Sequence, residues 1–487
     1  MPSAFWRIKP PQPAATQSGI NRVLGPWQLI ALGIGVSLGF GLFAVTGIAA
    51  GQYAGPAVGL SFLFAAIVAA FVALSYAELA SMFPNAAGSA YSYAYAGLGE
   101  GIAWGIGWCL FLAYLVTLGA IAGSWASYLA SFLAEWHVYL DPRLVASTGT
   151  PVHMADGTTA KAFMSVPAVV AIFAMVGLLM GGVQESSRIN SIIVLLKVAV
   201  VTIFILACLP HGQLANYHPF LPANTGAWGH YGWSGVISGA SLVFAAYLGF
   251  DLVSSAARDT RNPKKNLPLG ILGTLGICTL LYVLFSFVLV GVVNFHNLAH
   301  DASPAATAMD AIHMPIVAQV VKGGILIGFF AGIYGILFGM SRSIMTMAED
   351  GLLPPIFART NAKGVPVAAV LTLASLASIL AAFFSVGALG NMVSLGTLLA
   401  FMVVSVAVIV LRYRRPTVER PFKVAGGAWL IPMLALISCS VVLVGMDGAT
   451  WLRFGIGLAI GGAIYVFYGQ HHSKLVKENK PIPTMPL

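Results

Sequence analysis

About twelve apolar runs, each long enough to cross a lipid bilayer, divide this 487-residue chain. A spanning helix needs about 20 mostly apolar residues. Runs of that kind fall at approximately 25–50, 56–83, 97–133, 164–182, 187–209, 234–256, 267–293, 315–348, 364–384, 388–411, 427–446 and 451–469. The expected fold is an all-α integral membrane bundle. The third and eighth runs are long enough to tilt or to project beyond the bilayer.

Composition and charge support this. The chain is 59% hydrophobic and 8% charged, whereas a soluble domain carries about a quarter charged residues. A net charge of +9 would suit a nucleic-acid binder, but the positions of the charges exclude that reading. Of 24 lysines and arginines, Arg143, Lys161, Lys322 and Arg453 fall at one set of helix ends and Lys197 lies within a run. The rest, from Arg7 and Arg22 to Arg412 and Lys480, gather at the alternate set. That asymmetry predicts that both termini are cytoplasmic. The basic loops at Arg258–Asn266 and Arg412–Pro416 follow from the same topology, with contact to anionic membrane lipid a secondary reading. Cys109, Cys208, Cys278 and Cys439 lie in or at the ends of apolar runs without paired ligand spacing, so free thiols are expected and neither a metal site nor a disulfide framework. No signal-peptide pattern precedes the first run, which is expected to be kept as an anchor.

Two runs depart from uniform helix. Gly33, Gly35, Gly39 and Gly41 crowd the first, and Gly249 and Asp251 interrupt the sixth. Glycine weakens helix, and an ionisable group in the membrane is expensive unless it lines a cavity or finds a partner. If helices one to five and six to ten form two repeats, these interruptions occupy corresponding positions. That is the sequence pattern of a secondary-transporter binding site. Glycines also serve close helix packing; the matched interruption in the sixth run favours two broken helices.

The stretches Tyr76-Ala-Glu-Leu-Ala-Ser-Met-Phe-Pro84, Ala87-Gly-Ser-Ala-Tyr91 and Gly105-Ile-Gly-Trp108 resemble the amino acid–polyamine–organocation superfamily, and within it the cationic amino acid transporter family and its bacterial relatives. Tyr247-Leu-Gly-Phe-Asp251, Asn262-Pro-Lys-Lys-Asn-Leu-Pro268, Met347-Ala-Glu-Asp-Gly-Leu-Leu-Pro354 and Arg415-Pro416 with Arg420-Pro-Phe422 continue the match in order. The resemblance implies a leucine-transporter-type fold, a five-plus-five inverted repeat with two extra helices. The expected divisions are a cytoplasmic tail (1–23), the first repeat (24–211), the second (212–412), two further helices (413–470) and a cytoplasmic C-terminal tail (471–487). It also implies a substrate site between helices one and six, at Leu38, Gly39, Phe40 and Gly41 and at Phe244, Ala245, Ala246 and Tyr247. There, freed N–H groups would hold a substrate carboxylate and freed carbonyls its ammonium.

Lys197 sits too deep in its run to reach either interface comfortably, and an intramembrane lysine is a functional-site candidate by default. It matches the lysine that proton-coupled members of the family carry where sodium-coupled relatives bind sodium; a permanently charged prop for helix one is the alternative. Asp251 reads as a cap or pairing group near the cytoplasmic half of helix six. Glu78 and Glu185 read as loop organisers, and Ser186 and Ser187 as candidate caps of helix five.

The chain departs from the family pattern at four places. Phe40 stands where Thr is usual and Ala245 where an aromatic is usual, which suggests a rebuilt pocket. Cys109 and Ala113 stand where acidic residues are common, and an acid lost from beside Lys197 would alter its proton affinity.

The expected function is alternating-access transport of amino acids, with protons as coupling ion and small neutral amino acids as substrate, in the cell (inner) membrane. No cofactor is expected. Cationic amino acids or polyamines are the alternative, and a non-transporting amino acid sensor of the same fold is a rival from another class. No channel filter and no nucleophile–base or phosphate-loop constellation is evident.

Overall fold

The computed structural model describes residues 4–7, 24–82, 90–154, 158–181, 187–414, 416, 420–424, 426–427 and 429–474. Glu185 and Ser186 lie outside these residues, as do most of the two terminal tails.

The fold is all-α. Among the described residues eight helices are long and apolar enough to cross a membrane, and four further apolar helices are shorter. The twelve expected runs are all helical. The first is broken into α1 (Pro26–Ser37), α2 (Phe40–Phe43) and α3 (Val45–Ala49), and α4 (Val58–Met82) follows. A short α5 (Ala90–Gly97) precedes α6 (Glu100–Ala134). At 35 residues, α6 extends roughly 52 Å, well beyond a hydrocarbon core of about 30 Å. A two-stranded antiparallel hairpin, β1 (Pro151–His153) with β2 (Thr159–Lys161), lies between α6 and α7 (Val166–Met180). Then come α8 (Ser187–Cys208), α9 (Gly232–Val243) and α10 (Pro263–Val292). The short α11 (Pro304–Ala311) leads into α12 (Pro315–Glu349), which matches α6 in length. The chain continues through α13 (Val367–Phe383), α14 (Val386–Arg414), α15 (Leu430–Val444), α16 (Gly448–Ile464) and α17 (Gln470–His472).

Both expected interruptions are present. α1 stops because Leu38 is extended (φ −72°, ψ 100°) and Gly39 leaves helical geometry before α2 restarts at Phe40. After α9 the backbone tightens into a 3₁₀ turn at Phe244–Tyr247, Leu248 is extended, and Gly249 takes φ +128° before a run of 3₁₀ turns over Phe250–Asp259. That φ belongs to the region glycine enters at no steric cost.

The first-run glycines divide their work. A Cβ on Gly33 would stand 2.2 Å from the Thr274 hydroxyl, so this glycine lets α1 lie on α10. A Cβ on Gly41 would stand 2.1 Å from Ala246 Cα, so this one lets the two breaks touch. Packing and unwinding thus share one motif.

Buried polar pairs brace the bundle at both ends. Glu78, fully buried on α4, receives Arg412 of α14 and the Val424 N–H (3.0 Å). It organises a loop, as expected. At the opposite end buried Lys322 of α12 pairs with Glu135 (2.6 Å) and with Asp310 of α11. The four cysteines are free thiols, three of them buried.

Candidate functional site

A cavity of about 520 Å³ begins at the two breaks and runs to the last turns of α12, where exposed Arg342 lines it. Gly39, Phe40, Gly41, Ala245 and Lys197 are on its wall. Leu38, Phe244, Ala246 and Tyr247 are not. Each of these four is buried behind the wall, and Tyr247 turns its hydroxyl away to donate to the Phe62 carbonyl (3.0 Å). The eight residues are therefore brought together, but only half of them face the space.

Two side chains hold this junction. The Tyr282 hydroxyl on α10 lies 2.8 Å from the carbonyls of both Ser37 and Ala246, so one proton serves the freed oxygens of both breaks. The Lys197 ammonium on α8 donates to the Gly35 carbonyl at 2.7 Å. Its stem passes Gly328 of α12, where a Cβ would lie 3.3 Å from it. Lys197 is 4% exposed, which places a buried cation between α1, α8 and α12. Burying a charge is costly without hydrogen bonds, and an α1 carbonyl supplies one.

Asp251 lines the cavity and accepts from the Gly249 N–H (3.1 Å), capping the turn after the second break as the sequence suggested. The buried Tyr114 hydroxyl, also on the wall, has no partner among the described residues. From α6 the wall takes Gly107, Leu110, Tyr114, Thr117 and Ile121, one helical face at three- and four-residue spacing. Cys109 and Ala113 fall off that face. A Cβ on Gly396 of α14 would stand 3.1 Å from Ala113 Cβ, so position 113 points toward α14, and neither position lines the space that Lys197 lines. Phe40 and Ala245 do share the cavity wall.

Sequence reasoning missed the α12 wall. Gly328, Gly332, Gly335 and Gly339 line the cavity as a stripe without side chains, and their spacing within an apolar run was the available signal. Past Phe329 the space is filled by aromatic rings. Phe43 meets Phe329 and Phe285 edge-on at 6.1 and 5.8 Å, and Tyr128 donates to the Phe43 carbonyl at 2.6 Å while accepting from the Ala305 N–H of α11.

Apolar helices interlocked through two breaks, around a cavity that reaches solvent at one end, have the form of a membrane transport protein. The pattern of the amino acid permease family matches residues 24–465, and the chain belongs to that family, within the amino acid–polyamine–organocation superfamily. It is similar to the methylthioribose transporter of Bacillus subtilis (strain 168), 37% identical over 482 residues that cover 98% of this chain and 100% of that protein. The branched-chain amino acid permease BcaP of the same organism is 37% identical over 460 residues, 94% of this chain and 95% of that one. A vacuolar cationic amino acid transporter 4 of Arabidopsis thaliana is 38% identical over 409 residues, 82% of this chain and 64% of that one. The chain is an amino acid transporter.

Proposed function

We propose that the transported amino acid is neutral with a small or apolar side chain, carried by alternating access in symport with a proton. The observation that carries this reading is the seat of Lys197, a buried ammonium on the Gly35 carbonyl in the wall of a cavity that both breaks line. The segment from Phe40 to Ala49 is helical apart from a bend at Ala44. Its leading N–H groups suit a carboxylate, and carbonyls of the second break suit the ammonium. The side chain would then meet Phe40, Leu110, Ile121 and Phe329. Among the described residues Asp251 is the one acidic residue lining the cavity, and its engagement with Gly249 argues against a cationic substrate. A named relative that carries branched-chain amino acids fits the same apolar wall.

Proton release from Lys197 would leave a neutral amine on Gly35 and loosen α1 from α8. Substrate release and proton release then favour the same movement. The basic loops support a cytoplasmic side for the open end of the cavity and for both termini; on this reading the form is inward-facing, and the multi-pass protein sits in the cell (inner) membrane. Residues 24–211 and 212–412 are read as two five-helix repeats, each opening with a broken helix.

Uptake of a radiolabelled panel into proteoliposomes, with and without an inward proton gradient, tests the proposal. The panel includes neutral and cationic amino acids, a polyamine and methylthioribose. Gradient-driven uptake of neutral amino acids supports it. Preference for the cations or for methylthioribose overturns the substrate assignment, gradient-independent uptake overturns the coupling, and binding without flux points to a sensor.

A further inference from the structure

A second cavity, about 340 Å³, lies at the start of α10, and none of its lining residues belongs to either break. Lys264 and Lys265 head it, Pro268, Leu269 and Leu272 form its floor one and two turns further on, and Pro421 and Phe422 close its side. Both lysines are exposed. The side wall is anchored: the Phe422 N–H donates to the Ser81 hydroxyl at 3.3 Å, and the Val424 N–H to buried Glu78 at 3.0 Å. Here a 30-residue apolar span presents its N-terminal end, where the helix dipole adds positive potential to the two ammonium groups.

The floor identifies the occupant. Leu269 is 48% exposed, and Leu280, Leu284 and Phe287 continue outward-facing positions up the same helix. The headgroup-sized recess therefore opens onto a stripe that meets acyl chains. Two cations above an apolar track match an anionic headgroup with its tails attached, and an inorganic anion would leave the track unused. We propose that this recess is a binding site for an anionic diacyl phospholipid of the inner leaflet. The lipid would tether the start of α10 to the segment between α14 and α15. It would do so beside the entry to α1, because the Arg261 N–H donates to the Leu24 carbonyl at 2.8 Å. The inference rests on the membrane span of α10 and, for the leaflet, on the cytoplasmic side read above, and is independent of the substrate and coupling assignments.

Thermal unfolding of the full-length transporter in neutral detergent, titrated with dioleoylphosphatidylglycerol, reads the site; dioleoylphosphatidylcholine and inorganic phosphate are the controls. Phosphatidylglycerol is expected to raise the unfolding temperature at concentrations where phosphatidylcholine does not. Lys264→Gln/Lys265→Gln is expected to shift the half-saturating concentration up by roughly 25-fold. Leu269→Trp, which fills the floor and keeps both cations, is expected to weaken it as well. Should the double variant fold poorly, each single lysine variant carries the test with an expected shift of about fivefold. An unchanged titration in the lysine variants overturns the site. Equal protection by inorganic phosphate reduces it to an anion site and overturns the lipid assignment.

Discussion

The Lys197 ammonium and the Gly35 carbonyl meet at 2.7 Å across the boundary between α8 and α1. A hydrogen bond to a charged group contributes about 1.5–3 kcal/mol, so this one contact is strong enough to bias the position of α1. Lys197→Met is expected to abolish gradient-driven accumulation while leaving substrate binding measurable. Uptake and equilibrium binding, run in parallel on one reconstituted preparation, check it. A variant that still accumulates substrate against a gradient would remove Lys197 from the coupling path.

Gly39 and Gly41 separate two kinds of glycine. A Cβ on Gly41 would overlap Ala246, whereas one on Gly39 meets nothing within 4 Å, and at φ −177° Gly39 is extended backbone that other residues adopt. Gly41→Ala is expected to cost on the order of 3 kcal/mol or more through backbone overlap and to depress folded yield. Gly39→Ala is expected to fold like the parent and to raise KM, because its methyl group occupies the cavity. Fluorescence-detected size-exclusion and substrate titration distinguish the two.

Phe40 and Ala245 line one cavity, so exchanging bulk between them should move selectivity and not stability. Phe40→Thr is expected to extend the accepted panel to larger side chains, and Ala245→Phe to narrow it toward glycine and alanine. A discrimination change of about 10-fold or more per position is the scale that pocket volume sets. Competition assays against one labelled substrate measure it, and an unaltered panel for Phe40→Thr would refute the rebuilt-pocket reading.

Asp301, in the segment leading to α11, accepts from the Ser303 N–H (2.7 Å) and the Thr307 hydroxyl (2.5 Å). Burial, the leading cause, raises its pKa above the ordinary carboxylate value, with those hydrogen bonds opposing. The folded state therefore holds its proton more tightly than the unfolded chain. The resulting contribution is fully present below about pH 4 and is lost as pH rises through the raised value. Asp301→Asn is expected to remove that part of the stability gained on acidification. Melting curves from pH 7 down to 4 test this, and parallel profiles for both forms would contradict it.

Much of the architecture could be read from the residues. Long apolar runs bounded by basic loops become helices whatever their neighbours, and Gly39 and Gly249 marked the breaks because few other features interrupt those runs. Facing was harder to read. Cys109 and Ala113 each adjoin a wall-lining residue, Leu110 and Tyr114, yet neither lines the cavity, and sequence spacing alone does not say which face of an apolar helix meets it. Nor could it tell that Tyr247 spends its hydroxyl on Phe62, or that Tyr282, thirty-odd residues on, holds both breaks. Such partners are set by tertiary packing between distant segments.

The glycines along α12 carry a thermodynamic consequence. Positions 335 and 339 have open space where a Cβ would stand, so alanine would fit there without collision and would favour the helix by about 0.5–1 kcal/mol at each site. Over the four wall positions this is roughly 2–4 kcal/mol of helix stability forgone, with Gly328 and Gly332 more constrained by Lys197 and Ile121. Along this stripe the wall is main chain and not rotamers. That side of the path therefore does not yield through side-chain torsions, and each methyl group added to it should act as a fixed decrement in the room left for the solute.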